Sequence, residues 1–122
     1  MKLFLTTLFF IQFLAAMPCQ AEDVVLNGAK LQATIIDVRT PEEFAAGHIP
    51  GAVNIPVDRI ESGIASIKGL GKDKQILLYC RSGRRSAIAK EILEKQGFRK
   101  IHDGGGMENF AKTLKVCSVQ TC

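Results

Sequence analysis

The sequence predicts an α/β domain with a mostly parallel central sheet and helices on both faces. Short runs of β-branched and apolar residues alternate with segments in which apolar residues recur every three or four positions. Strands that alternate with helices in this way form parallel sheets, because each helix carries the chain back to the start of the next strand. Ligands bind such sheets in the loops that follow the carboxyl ends of the strands.

A single domain is expected after removal of an export signal. Residues 1–21 combine a basic Lys2, an apolar stretch at 3–16 and a small residue, Ala21, before the expected cleavage point. This pattern is typical of a secretory signal peptide, and the apolar stretch is shorter than the roughly 18 to 20 residues that span a bilayer. The remaining residues, 22–122, suit one compact domain.

The first elements of the domain are predicted as strand, strand and helix. Residues 24–30 are interpreted as an edge strand, and the β-branched run at 33–39 as the first strong strand. A helix is predicted at 41–48, because Thr40 is a good N-cap and Pro41 suits the first helical position.

The middle of the domain is predicted as strand, helix and strand. Residues 52–57 form the second strand, and 58–70 form an amphipathic helix that ends at a glycine. Residues 74–80, KQILLYC, have the continuous apolar character of a strand that is buried on both faces.

The last part is predicted as helix, strand and helix. Residues 86–98 carry a helical apolar stripe that stops at Gly97. A further short strand is predicted at 99–103, a turn in the glycine run 104–106, and a final helix at 107–115.

Positive charge is concentrated at one place in the chain. The net charge is +4, from 16 basic and 12 acidic residues, and Arg81, Arg84 and Arg85 all fall within five residues of Cys80. A nucleic-acid-binding protein is expected to spread basic residues along a face, and no nucleic-acid-binding motif is recognised. The concentration indicates a small anionic ligand.

Three cysteines remain after signal removal, Cys80, Cys117 and Cys122. An odd number in an exported protein leaves at least one thiol outside any intramolecular pair. Cys117 and Cys122 lie five residues apart, and a small-loop disulfide between them is the favoured interpretation; free thiols or a redox pair are the alternatives. Cys80 is then the unpaired cysteine.

Cys80 ends the buried strand and directly precedes a loop that enters a helix. Backbone N–H groups of such a loop converge, and the helix N-terminus adds partial positive charge. Gly83 permits a positive φ, and guanidinium groups strengthen the field for anions. These features predict a thiol pKa lowered from about 8.5 into the range of roughly 3.5 to 7.5. An inert buried cysteine is the alternative, but the coincidence of a glycine and three arginines favours a functional thiol.

Three blocks of the sequence together resemble a rhodanese domain. These are residues 35–56 (IIDVRTPEEFAAGHIPGAVNIP), 77–98 (LLYCRSGRRSAIAKEILEKQGF) and 104–110 (GGGMENF). The resemblance implies a rhodanese-like three-layer fold, and it is strongest to the small single-domain periplasmic rhodaneses of the phage-shock type. The expected location is therefore the periplasm. One departure is Phe110, where the family often has tryptophan.

The resemblance implies a thiosulfate sulfurtransferase that works through a persulfide on Cys80. Thiosulfate would supply the sulfur, and cyanide or a thiol would accept it, without a metal or organic cofactor. The expected partners are these small molecules; no nucleic acid, no membrane after signal removal and a monomeric state are expected. The substrate-binding residues carried over from the family are Arg81, Ser82, Gly83, Arg84, Arg85 and Ser86.

Two other functions are weighed against this one. In the first, Cys80 carries a persulfide to or from a protein partner, and thiosulfate turnover is incidental; the three arginines favour the enzyme instead. In the second, the loop is that of a phosphatase or an arsenate reductase-like enzyme. The phosphatase loop C-x5-R requires arginine at position 86, and this chain has Ser86.

Other polar residues are given structural roles. His48 is expected to make a structural hydrogen bond in a turn, and His102 lies in a short strand without neighbours at metal-ligand spacing. Asp37 and Arg39, at the end of the first strong strand, are interpreted as a structural ion pair.

Overall fold

A computed structural model describes residues 21–117 as a six-stranded mixed sheet with helices packed on both faces. The strands are β1 (Glu22–Leu26), β2 (Ala29–Asp37), β3 (Val53–Asn54), β4 (Gln75–Cys80), β5 (Lys100–Gly106) and β6 (Leu114–Val116). The helices are α1 (Pro41–Ala46), α2 (Ile60–Gly63), α3 (Arg84–Lys95) and α4 (Met107–Thr113). The predicted α/β class is confirmed. Apart from Ala21, the predicted signal peptide lies outside the described residues, and within them no helix is long and apolar enough to cross a membrane.

The sheet is parallel in the part that carries Cys80. The strand order is β5-β4-β2-β1-β6, and β3 pairs with the end of β2. The pairs β2–β3, β2–β4 and β4–β5 are parallel, whereas β1 runs antiparallel to both β2 and β6. The register places Asp37 beside Tyr79, so the carboxyl ends of β2 and β4 meet at one edge.

The first two strands form a hairpin, and the edge-strand prediction for residues 24–30 is wrong. Asn27 and Gly28 have φ values of 49° and 84°, the combination that a tight Asn-Gly turn requires. The turn divides the predicted segment, and β1 lies between β2 and β6. The last helix is predicted at 107–115, but α4 ends at Thr113, and residues 114 and 115 belong to β6.

The predicted helix at 58–70 is broken into short pieces. A 3₁₀ turn (Val57–Arg59) precedes α2, and a second one (Ile64–Ser66) follows it. A Cβ atom at Gly63 would lie 2.8 Å from the Ile55 side chain. The glycine allows this close contact, and glycine also lowers helix stability by about 1 kcal/mol relative to alanine.

Two apolar clusters lie on opposite faces of the sheet, and β4 contributes to both. Because side chains alternate along a strand, Ile76, Leu78 and Cys80 face α2 and α3, and Leu77 and Tyr79 face α4. All five residues are fully buried. The burial explains the continuous apolar run that identified this strand, and burying each large apolar side chain contributes roughly 1.5 to 3 kcal/mol.

The glycine run at 104–106 belongs to β5, so the prediction of a turn at these residues is wrong. The strand is irregular at this point: the pairing with β4 shifts in register between Leu78 and Cys80, and Gly105 has a φ of 72°. The helix entry predicted after the run is confirmed, because α4 begins at Met107.

Candidate active site

Cys80 is the last residue of β4, and its side chain lies on the α3 side of the sheet. It is a free cysteine and is fully buried. Three residues later Gly83 adopts a φ of 97° and forms the N-cap of α3, which starts at Arg84. A residue with a Cβ would resist this backbone conformation, so the glycine turns the chain tightly enough to aim the helix N-terminus at the sulfur.

Two hydrogen bonds hold the sulfur. The Gly83 N–H donates to Cys80 Sγ at 2.9 Å. The thiol donates to Ser86 Oγ at 3.5 Å, and the Ser86 hydroxyl donates to the Gly83 carbonyl at 3.0 Å. The Ser86 hydroxyl can rotate, so it can donate to the sulfur when the thiol loses its proton.

The Cys80 thiol has a pKa below its ordinary value. Burial is the largest influence and raises the pKa. It is outweighed by the Ser86 hydroxyl and by the backbone N–H groups of Ser86, Gly83 and Ser82, all of which favour the anion and lower the pKa. This direction agrees with the prediction, and the N-terminal position on α3 favours the anion further.

The three arginines of the loop have different environments. Arg81 and Arg84 are exposed, whereas the Arg85 guanidinium donates to both carboxylate oxygens of Glu43, at 2.6 and 3.0 Å. This pair raises the pKa of Arg85, and the nearby Cys80 contributes to that rise. Arg85 is therefore already paired with a carboxylate, whereas Arg81 and Arg84 are open to solvent.

Glu43 is a residue of the site that sequence reasoning missed. It lies in the first turn of α1, where its Oε1 atom accepts hydrogen bonds from the backbone N–H and the hydroxyl of Thr40, each at 3.2 Å. The hydrogen bond from Arg85 is the largest influence on its carboxyl and lowers the pKa to about 2. The capping motif is readable from the sequence, but the contact with Arg85 spans 42 positions.

Asp37 and Arg39 form a buried ion pair, as interpreted from the sequence. The Arg39 guanidinium donates to Asp37 at 2.7 Å and to the Gly47 carbonyl at 2.7 Å, and it lies 5.7 Å from the centre of the Tyr79 ring. The pair therefore ties the end of β2 to the segment after α1. Hydrogen bonding to Asp37 raises the pKa of Arg39.

The two histidines make local contacts. His48 Nδ1 lies 2.9 Å from the Phe44 carbonyl, and the two rings stack at 3.7 Å. His102 Nε2 lies 2.8 Å from the Gln75 side chain. Across residues 21–117, no group of three or more His, Cys, Asp or Glu residues is placed to hold a metal ion.

Cys117 is disulfide-bonded. Its expected partner, Cys122, lies outside the described residues, and their pairing stays a prediction. Phe110, which stands where tryptophan is common in rhodaneses, is buried and packs 5.6 Å from Tyr79. It lies on the sheet face opposite Cys80.

Comparison with known proteins identifies the family. A model of the rhodanese-like domain matches residues 20–113. Thiosulfate sulfurtransferase PspE of Escherichia coli is 38% identical over 76 residues, which cover 62% of this chain and 72% of PspE. The putative sulfur carrier protein YrkF of Bacillus subtilis is 42% identical over 67 residues, which cover 55% of this chain and 35% of YrkF.

Solved structures agree with this match. A rhodanese with anions from E. coli superposes with a TM-score of 0.61 at 35% identity, covering 68% of this chain and 96% of that protein. The human single-domain sulfurtransferase TSTD1 superposes with a TM-score of 0.56 at 28% identity, covering 66% and 81%. The sequence resemblance and the predicted rhodanese-like fold are both confirmed, and the names of the relatives support sulfurtransferase chemistry in general. The chain belongs to the rhodanese-like domain family.

Proposed function

We propose that this protein is a thiosulfate sulfurtransferase in which Cys80 accepts the transferred sulfur. The observation that carries the proposal is the free thiol of Cys80 at the N-terminus of α3, with the Gly83 N–H 2.9 Å from its sulfur. A lowered thiol pKa makes the nucleophilic thiolate available near neutral pH.

In the first half-reaction the thiolate attacks the outer sulfur of thiosulfate. A bond forms between Cys80 Sγ and that sulfur, while the sulfur–sulfur bond of thiosulfate breaks and sulfite leaves with the electron pair. The products are a Cys80 persulfide anion and the sulfite dianion, so charge and atoms balance. Covalent catalysis of this kind divides one difficult transfer into two easier ones.

In the second half-reaction a thiophilic acceptor attacks the outer persulfide sulfur. With cyanide the products are thiocyanate and the Cys80 thiolate; with a thiol they are a new persulfide and the same thiolate. The backbone N–H groups of the loop can stabilise negative charge on either sulfur, since they converge where that charge lies.

The loop residues have distinct roles in this proposal. Arg81 and Arg84 attract the dianion, because both are exposed beside the site. The N–H groups of Ser82, Gly83 and Ser86 support the sulfur. Arg85 binds substrate through those guanidinium N–H groups that do not donate to Glu43.

The names of the relatives support thiosulfate as the donor. PspE is named a thiosulfate sulfurtransferase, and a mitochondrial protein of Schizosaccharomyces pombe, named a putative thiosulfate sulfurtransferase, is 39% identical over 77 residues. The structurally similar E. coli rhodanese is described with anions, which is consistent with an anionic substrate here.

Steady-state kinetics with thiosulfate and cyanide test the proposal. The parent protein should form thiocyanate, and Cys80→Ser should form it no faster than the uncatalysed reaction. Equal turnover by the two proteins would refute the proposal.

A sulfur carrier is the second candidate, and the similarity to YrkF favours it. In that case the Cys80 persulfide passes to or from a protein, and thiosulfate with cyanide gives no turnover. Mass spectrometry distinguishes the two functions: a carrier should gain one sulfur atom at Cys80 from a protein donor extract while remaining inactive in the thiosulfate assay.

Export to the periplasm and a monomeric state complete the proposal. The apolar N-terminal segment at 1–21 supports export. Intact mass of the protein isolated from the periplasmic fraction should correspond to residues 22–122, and light scattering should give the mass of one chain. Retention of residues 1–21 or a dimer mass would contradict these two points respectively.

A further inference from the structure

Gly106, the last residue of β5, packs against the backbone of the loop that follows Cys80. In the sheet it is the register partner of Cys80. A Cβ atom at Gly106 would lie 2.9 Å from the Arg81 carbonyl oxygen, 3.5 Å from Ser82 Cα and 3.6 Å from the Arg81 carbonyl carbon. The neighbour is backbone, so it cannot move away by a change of rotamer.

The backbone conformation of Gly106 does not itself call for glycine. Its φ and ψ are −73° and 141°, in the extended region that any residue adopts. Gly105 is the opposite case: its φ is 72°, but a Cβ atom there would meet nothing within 4 Å. Gly105 is therefore required by its positive φ, and Gly106 by its close approach to the Arg81 backbone.

The contact with Gly106 sets the direction of one peptide group. The carbonyl of Arg81 and the N–H of Ser82 belong to the same planar trans peptide, in which the C=O and N–H bonds point to opposite sides. Because the carbonyl faces Gly106, the Ser82 N–H faces away from β5. The next N–H along the loop, that of Gly83, donates to Cys80 Sγ at 2.9 Å, so the placement of the Arg81–Ser82 peptide affects a donor to the sulfur.

The irregularity in β5 brings Gly106 to this position. The Gly105 N–H donates to Asp103 Oδ1 at 2.9 Å, and the pairing of β4 with β5 shifts in register between Leu78 and Cys80. Bulges of this kind redirect a strand and are common beside active sites. Here the bulge carries the chain from the regular ladder to the back of the loop.

We propose that Gly106 is a positioning residue for sulfur transfer: the absence of a side chain lets the loop backbone at Arg81 and Ser82 pack against β5, so that the loop presents the Gly83 N–H to the Cys80 sulfur. The inference rests on the proposed function, since it concerns the nucleophile of that reaction. A methyl group at 106 displaces the Arg81 carbonyl and rotates the peptide, and the thiolate loses a hydrogen-bond donor.

The comparison of Gly106→Ala with Gly97→Ala tests this role. Ultraviolet absorbance of the thiolate, measured against Cys80→Ser as the blank, gives the Cys80 pKa without any sulfur donor. Gly106→Ala should raise the pKa by about one unit, which lowers the thiolate fraction about tenfold on the acid side of the titration. Gly97→Ala should lower the melting temperature, because alanine resists its φ of 95°. It should leave the Cys80 pKa unchanged, because Gly97 follows the end of α3 that is remote from Cys80.

Asp103 provides a second test that leaves Gly106 intact. Asp103→Asn keeps an oxygen that can accept the Gly105 N–H, whereas Asp103→Ala removes it. Both variants lose one negative charge, which by itself lowers the Cys80 pKa. If the bulge positions the loop, the Cys80 pKa should be higher in Asp103→Ala than in Asp103→Asn. The thiolate fraction of Asp103→Ala should then be about threefold smaller at a pH below both values.

The outcomes separate this role from the proposed function. A folded Gly106→Ala protein with the parent pKa, or equal pKa shifts in Gly97→Ala and Gly106→Ala, overturns the positioning role. If Gly106→Ala fails to fold, equal Cys80 pKa values in Asp103→Ala and Asp103→Asn overturn the positioning role. If the shifts occur but the parent protein transfers no sulfur from thiosulfate, the positioning of the thiolate stands and the proposed function fails.

Discussion

The Arg85 guanidinium lies against Glu43 with both carboxylate oxygens engaged, at 2.6 and 3.0 Å. The contact joins the first turn of α1 to the first turn of α3 across the carboxyl edge of the sheet. Glu43 also accepts two hydrogen bonds from Thr40, so its carboxylate is held from both sides. The pair therefore fixes the start of the helix that follows Cys80.

Loss of this pair should be visible as a change in the pH dependence of stability. The folded-state pKa of Glu43, about 2, lies below its ordinary value of 4.5. The pair therefore stabilises the folded protein fully above pH 4.5, and this contribution is lost as the pH falls from 4.5 toward 2. Both side chains are partly exposed, so we expect a contribution of about 1 kcal/mol. In urea unfolding, the free energy of unfolding of Glu43→Gln should be lower than that of the parent by this amount at neutral pH. It should also change less between pH 4.5 and pH 2.

Glu91→Gln is the matched control for Glu43→Gln. Glu91 pairs with Lys95 on α3 at 3.1 Å, but both side chains are largely exposed. Its stability profile should follow that of the parent protein within experimental error. A Glu43→Gln profile parallel to that of the parent would show that the contact with Arg85 contributes nothing to folding.

The exposed and the paired arginine should respond differently to replacement. In the proposed reaction Arg84→Ala removes a cation that attracts thiosulfate, so the KM should rise about two- to fivefold at low ionic strength, with less change at high salt. Arg85→Ala also leaves Glu43 without its partner, so it should lower stability by about 1 kcal/mol in addition to any effect on KM. Thiosulfate kinetics at two salt concentrations and urea unfolding give both quantities.

Arg99→Ala is the control for general charge. Arg99 is exposed and pairs with Asp73 in the segment just before β4, at the opposite end of that strand from Cys80. Its KM should equal that of the parent at both salt concentrations. An equal rise in KM for Arg84→Ala and Arg99→Ala would mean that net charge, and not the position of Arg84, attracts the substrate.

The features of the site that were predictable are those set by neighbours in sequence. Cys80, the positive φ of Gly83 and the start of α3 follow one another within five positions, so the apolar run, the glycine and the helical stripe predict them together. The same holds for the cap of α1, since Thr40 and Glu43 are three residues apart.

Features set by distant contacts were not predictable. The pairing of Glu43 with Arg85 depends on two helices meeting across the sheet, and nothing near either residue specifies its partner. The strand β6 has only three residues and forms because β1 offers an edge to it. The helix at 58–70 breaks where Gly63 packs against Ile55, a contact that outweighs its amphipathic pattern.

The Ser86 hydroxyl should account for part of the low Cys80 pKa. It is buried, accepts the thiol hydrogen at 3.5 Å and can turn to donate to the thiolate. Ser86→Ala removes this donor, so the Cys80 pKa should rise by about one unit, and alkylation by iodoacetamide should require a correspondingly higher pH. The rate of alkylation measured against pH gives the shift.

Ser66→Ala serves as the comparison for Ser86→Ala. The Ser66 hydroxyl donates to the Gly63 carbonyl three residues earlier, just as the Ser86 hydroxyl donates to Gly83. Ser66 is exposed, however, whereas Ser86 is buried in contact with Cys80. Its alkylation profile should match that of the parent. If Ser86→Ala also matched the parent, the backbone donors alone would set the Cys80 pKa.

Tyr79→Phe should separate stability from reactivity, because Tyr79 precedes Cys80 but faces the other side of the sheet. Its hydroxyl accepts the Ile49 N–H at 3.0 Å in a buried position, and burial raises its pKa well above the ordinary value, so the group stays neutral. Phenylalanine keeps the ring beside Arg39 and Phe110 but leaves the Ile49 N–H without its acceptor, which should cost about 1 to 3 kcal/mol in urea unfolding. The thiolate titration of Cys80 should be unchanged. A shift in that titration would show that Tyr79 reaches the sulfur through the strand backbone, and the two faces of β4 would then not act independently.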